Sequence, residues 1–173
     1  MREVILLNGP PGVGKSTVAR ALAVLVPGTV AVSGDALRAF APPDARAHLG
    51  PGSTYRAMGV LIRSYLEMGA PRVIADYVFT RPSHITQTIE AVPSTVSVAV
   101  FTLWADLPLV TARARQREHT AVPTAAVDHA WREISQQLHA LGDTIDSSGT
   151  VTDTVTRIVE ALRRNPDRAP LPG

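Results

Sequence analysis

The sequence contains no cysteine, which excludes disulfides, thiolate metal centres and cysteine nucleophiles together. Lysine is nearly as scarce: of 17 basic residues, 16 are arginine and one is Lys15. Long apolar runs are missing, and no signal-peptide pattern opens the chain, so a cytoplasmic protein with no membrane partner is expected. Charge of one sign is also missing. The 17 basic and 15 acidic residues leave a formal +2, too weak to attract nucleic acid by bulk electrostatics. The five histidines have no metal-ligand spacing, and nothing in the sequence indicates an oligomeric state. What is present is apolar: 45% of 173 residues, enough to bury one core and too few residues for two full-sized domains.

Short apolar runs alternate with helix-length amphipathic stretches. Residues 4–7 read as a buried strand ending at Asn8 and a glycine-rich turn, and 16–25 continue with helical spacing. Further strands are expected at 29–33, 73–75, 95–103 and 144–146. Further helices are expected after Asp35 and over 54–68, 82–92, 108–118, 125–140 and 151–164. Residues 42–52, with Pro42, Pro43, Gly50, Pro51 and Gly52, read as a loose segment. Strands separated by helices predict an α/β fold, a doubly wound five-stranded parallel sheet covered on both faces. Such sheets bind ligands beyond the carboxyl ends of their strands. The expected organisation is one domain over 1–164, with a short lid at about 117–127, and a flexible tail over 165–173 holding three prolines.

The turn after the first strand carries chemistry. Gly9-Pro10-Pro11-Gly12-Val13-Gly14-Lys15-Ser16 fits G-x-x-x-x-G-K-[ST], is followed by Thr17, and sits between a strand and a helix. Glycines let backbone N–H groups, Val13 among them, turn inward around phosphate oxygens, and the helix amino end adds partial positive charge. Lys15 then reaches the β- and γ-phosphates, and the Ser16 hydroxyl can ligate Mg²⁺. ATP and Mg²⁺ are therefore the expected cofactors. A guanine-reading N-K-x-D is excluded by the single lysine.

Three further groups select among phosphate-loop proteins. Asp35, just after the second strand, overlooks the loop, where a carboxylate can accept the proton of an attacking hydroxyl. It can equally cap the helix that follows. Arg38, one turn on, can grip an anionic group of the acceptor. Asp76 ends the third strand about 60 residues after the lysine, as a Mg²⁺-holding carboxylate would. Arg81 faces either the acceptor or solvent. Arg113 and Arg117 share one helix face, suited to an adenine face and a triphosphate, and Arg115 turns away. The segment after them reads as a lid that closes and expels water.

Together these motifs resemble the small P-loop kinases: nucleoside monophosphate, gluconate and shikimate kinases, chloramphenicol phosphotransferase and polynucleotide 5′-kinases. The resemblance runs from about Arg2 to Leu162 and is strongest in the phosphate loop, in Gly34-Asp35-Ala36-Leu37-Arg38 and in the Arg113, Arg117 pair. It implies Arg113 against the base, Arg117 on phosphates and Gly149, in Ser147-Ser148-Gly149-Thr150, near the adenine ring. Gly34 to Arg38 is similar to the acceptor-nucleotide segment of adenylate kinases. The D-G-F-P-R of those enzymes is replaced by the longer Asp76-Tyr77-Val78-Phe79-Thr80-Arg81. That stretch is closer to chloramphenicol phosphotransferase, in which an aspartate at the position of Asp35 is the base. The implied activity is transfer of the γ-phosphate of ATP to a hydroxyl of a small antibiotic-, sugar- or nucleoside-like molecule. Lys15 and Arg117 would neutralise charge in the transition state. A nucleotide or polynucleotide 5′-hydroxyl kinase is the alternative, with Arg38 and Arg81 on an acceptor phosphate. A regulatory ATPase without an acceptor is the third possibility.

Overall fold

The computed structural model describes residues 2–50, 52–116 and 122–164. Five strands, β1 (Glu3–Asn8), β2 (Val30–Ser33), β3 (Arg72–Asp76), β4 (Ser97–Trp104) and β5 (Asp143–Asp146), form one sheet in the order β2-β3-β1-β4-β5. Every pairing is parallel, with Val4 opposite Val73 and Val98, and Leu103 opposite Ile145. Among the described residues eight α-helices connect or follow the strands: α1 (Lys15–Ala23), α2 (Gly34–Ala39), α3 (Pro43–Leu49), α4 (Ser53–Glu67), α5 (Pro82–Ile89), α6 (Leu107–Arg115), α7 (Thr124–Gln137) and α8 (Val151–Arg164). The expected five-stranded doubly wound sheet is what the chain forms.

Side chains alternate along each strand, so one strand feeds two cores. Ile5 and Leu7 of β1, Ile74 of β3 and Phe101 and Leu103 of β4 pack with Val18 and Leu22 of α1, Val110 of α6 and Ile158 of α8. Val4 and Leu6, Val73 and Ala75, Val98 and Val100 face the other way, onto Met58, Ile62 and Leu66 of α4 and Ile134 of α7. Both faces being covered explains why the strands read as unbroken apolar runs. Each fully buried side chain of this size contributes roughly 1.5–3 kcal/mol.

One element departs from the sequence reading. Residues 42–52 were expected to be loose, yet α3 lies within them, with Pro43 in its first turn and Pro42 as the residue before it. Proline's fixed φ suits a helix start, where its missing N–H costs nothing. The expected tail, 165–173, and residues 117–121 of the expected lid lie outside the described residues. Among the described residues, no helix is long and apolar enough to cross a membrane.

Candidate active site

Turns at the carboxyl ends of β1, β2, β3 and β5 lie at one end of the parallel sheet, and every proposed site residue on described chain belongs to them or to α1, α2 and α6. The phosphate loop joins β1 to α1. Gly12 has φ +90°, and a side chain there would strike the Val110 carbonyl, so only glycine lets the loop pack on α6. Gly14, at φ 105°, precedes α1, and no side chain caps that helix. Its amino end is thus left for a ligand anion, with the helix dipole behind it. Lys15 is only 6% exposed, and its Nζ donates to the Gly9 carbonyl at 2.8 Å and the Pro10 carbonyl at 3.1 Å. The ammonium is therefore held inside the loop at the point where phosphate oxygens would arrive.

Ser16 follows Lys15, and its hydroxyl donates to Asp76 Oδ1 at 3.2 Å. Asp76 is 3% exposed, and its second oxygen, Oδ2, is buried without a hydrogen-bond partner. A hydroxyl beside a buried, half-satisfied carboxylate fits a hard divalent cation that completes its shell with water and phosphate oxygens. Among the described residues no three metal-ligating side chains cluster, so the protein alone would supply too few ligands for a closed metal cage. Burial pushes the Asp76 carboxyl above its ordinary range, opposed by the Ser16 hydrogen bond and the nearby Lys15 charge.

That shift carries a prediction about stability. A carboxyl whose folded value is raised favours folding below its unfolded value, and the benefit disappears as pH rises through the folded value. At pH 7 the buried Asp76 charge therefore costs stability. Asp76→Asn is expected to melt at a higher temperature than the parent in metal-free buffer at pH 7, and to lose Mg²⁺-supported turnover. A lower melting point for the variant would contradict the assignment.

Asp35 and Arg38 lie in α2. Ser33, not Asp35, caps this helix: its side chain accepts from the Ala36 amide at 3.5 Å. Asp35 is left exposed at the first turn, lining a cavity of about 320 Å³ with Pro11, Lys15, Ser16 and Arg38. The far wall of that cavity includes Tyr55 of α4, then Tyr77, Val78 and Thr80 of the segment after β3, and Val122, Ala126 and Ala130. Arg81 is not part of its lining. It stands at the start of α5, with its guanidinium 3.8 Å from Glu133 of α7 and mostly exposed.

The segment after β3 is likened by its sequence to chloramphenicol phosphotransferase, but where its side chains point is set from a distance. The fully buried Asn8 accepts from the Phe79 amide at 2.8 Å and donates to the Thr102 hydroxyl at 3.0 Å. The Tyr77 amide donates to the Leu7 carbonyl at 3.1 Å. Thus the last residues of β1, which also launch the phosphate loop, fix the wall that carries Tyr77 and Val78. An amide side chain closing an apolar strand was the only local hint of this role.

A second cavity, of about 370 Å³, opens on the other side of the loop. Gly12, Val13, Gly14 and Thr17 line it, facing Arg113, Ser147, Gly149 and Thr150. Arg113 donates to the carbonyls of Ser147 at 2.7 Å, Ser148 at 3.1 Å and Gly149 at 3.1 Å, so it shapes the 147–149 turn while presenting its edge to the cavity. The Ser147 hydroxyl donates to the Val13 carbonyl at 3.0 Å and ties that turn to the phosphate loop. Arg115 points elsewhere, donating to Thr124 at 3.4 Å. Arg117 lies outside the described residues. One cavity beside the helix amino end, and a second across the loop holding a free carboxylate, suit a nucleotide and an acceptor respectively.

Comparison with curated proteins finds no match. Solved structures share the whole fold. A sugar kinase from Janibacter sp. HTCC2649 superposes with a TM-score of 0.70 at 18% identity, covering 98% of this chain and 99% of that one. The tunicamycin resistance protein of Deinococcus radiodurans gives 0.66 at 22% identity over 100% of both chains. A gluconokinase from Sinorhizobium meliloti 1021 gives 0.65 at 20% identity over 95% and 94%. Identities this low carry the fold alone. The family profile described as AAA domain, AAA_33, matches residues 4–141, and the chain belongs to that family of P-loop kinase-like domains.

Proposed function

We propose that the protein transfers the γ-phosphoryl group of ATP to a hydroxyl group of a small molecule. The observation that carries this reading is Asp35, an exposed carboxylate not used as a helix cap, sharing one cavity with Lys15 and Ser16. The solved neighbours described as sugar kinase and gluconokinase support a kinase of this general kind.

In this reading the nucleoside sits against Arg113 and the 147–149 turn that it braces, with Gly149 beside the ring and the phosphates on the loop. Gly9, Gly12, Gly14, Val13 and Thr17 build that cradle. The acceptor hydroxyl faces Asp35, which takes its proton as the new oxygen–phosphorus bond forms and the bond to the β-phosphate oxygen breaks. Lys15, and Arg117 from the lid, meet the charge on the equatorial and leaving oxygens. Ser16 and Asp76 would hold Mg²⁺, which would supply charge neutralisation for the bound phosphates. Arg38 orients the acceptor, and Arg81, which stands against Glu133 outside the cavity lining, is given no part in holding it.

The test is ADP release from ATP and Mg²⁺ across hydroxylated antibiotics, sugars, nucleosides and 5′-hydroxyl oligonucleotides. At least one small-molecule class is expected to stimulate release well above the acceptor-free rate, and chelating the metal should remove the stimulation. ATP binding with no stimulation by any class would instead indicate a regulatory ATPase.

A further inference from the structure

Resting on the phosphotransferase reading, we infer that the acceptor is a hydroxyl compound with a flat apolar half and at most one negative charge. Free polyols and phosphorylated acceptors fall outside that class. Aromatic residues make up only 5% of the chain, yet Tyr55 and Tyr77, two of its three tyrosines, line the acceptor cavity, with Phe79 packed behind them. The Tyr55 ring stacks on His84 with centroids 4.3 Å apart and planes 15° from parallel. It meets Tyr77 edge-on at 5.4 Å, and its hydroxyl donates to the Val78 carbonyl at 2.9 Å. His84 is itself held, accepting from the Thr80 amide at 3.3 Å. The wall is therefore rigid before any ligand arrives, a preformed surface for a planar or apolar group. Val78, Val122, Ala126 and Ala130 make further lining apolar.

The polar supply of the same cavity is small. Lys15 and Ser16 are assigned to the donor, and Asp35 to the reacting hydroxyl. Tyr55 has its proton committed to Val78, which leaves Arg38, Thr80 and the Tyr77 hydroxyl, itself hydrogen-bonded with Thr54 and Arg38, as the remaining polar side chains among the described lining. A hexose would bury several hydroxyls with few partners, and each one left unpaired weakens binding. A phosphate dianion is held best by more than one guanidinium or by bidentate pairing. Arg81, the second candidate, faces Glu133 instead of the cavity.

Two sets of acceptors test the inference on the full chain with ATP and Mg²⁺. The first contains thymidine and 1-phenyl-1,2-ethanediol; the second contains glucose, gluconate and thymidine 5′-monophosphate. The first set is expected to exceed the second in kcat/KM by about 10-fold or more. Tyr55→Leu should raise KM for the first set by about 10-fold, leaving kcat and KM for ATP within about 3-fold, and Tyr55→Phe should restore KM. Preference for glucose, gluconate or the monophosphate would overturn the inference and leave the phosphotransferase reading standing. Equal rises in KM for ATP and acceptor in Tyr55→Leu would show a structural residue, and would overturn the aromatic wall as the recognition surface. No stimulation by either set would overturn the phosphotransferase reading itself.

Discussion

Lys15→Arg is expected to lower phosphoryl transfer by roughly 10³-fold, close to assay background, while the protein stays folded. Lysine and arginine carry the same charge, so bulk electrostatics would predict little change. The difference is shape. The ammonium of Lys15 is nearly buried and sits within hydrogen-bond distance of two carbonyls of its own loop. It is a compact point charge that can swing from those carbonyls to phosphate oxygens, whereas a guanidinium is a rigid fork too wide for the ring of backbone amides. The fold should survive, because the Lys15 ammonium donates to carbonyls of its own loop and an arginine can still donate to them. ADP release and thermal melting of the purified variant are the two measurements. A variant with parental rates would show that the loop does not grip phosphate as proposed. That all 16 other basic positions are arginine sharpens the case, since this chain uses lysine only where the loop requires it.

The parts of the fold legible in the sequence are those whose cause is local. β1, β3 and β4 are continuous apolar runs because both faces of a parallel sheet are buried, and amphipathic α4 and α8 carry one apolar stripe each. Asp76 could be found because it ends such a run. Its unpaired Oδ2 could not, since that depends on how β3 sits beside α1. α3 was hidden by reading Pro42 and Pro43 as breakers when proline also starts helices. Tyr77, Val78 and Thr80 were hidden for a different reason. Their segment has no period, and it is aimed by Asn8, which is 71 residues from Phe79 in sequence. Arg81 was open between acceptor and solvent because its neighbour Glu133 comes from α7, far along the chain. Local pattern names elements and motifs; long-range hydrogen bonds decide which side chains share a cavity.

Asp35→Asn is expected to reduce kcat with a responding acceptor by about 10²- to 10⁴-fold, leaving ATP affinity and melting temperature near the parent values. The two explanations for an aspartate at a helix start, capping and catalysis, make opposite predictions for these readouts. Loss of a cap costs about 1 kcal/mol of stability and spares chemistry; loss of a base spares stability and costs rate. Because the Ser33 side chain already accepts from the Ala36 amide, the cap survives the substitution. Asparagine keeps the size and an acceptor oxygen, so the acceptor hydroxyl can still bind and KM should change little. What asparagine cannot do is take the proton as the oxygen attacks phosphorus. A drop in melting temperature with kcat intact would return Asp35 to structure. A drop in kcat that vanishes at high pH would point to a hydroxyl acidic enough to ionise by itself, with Asp35 acting only to position it.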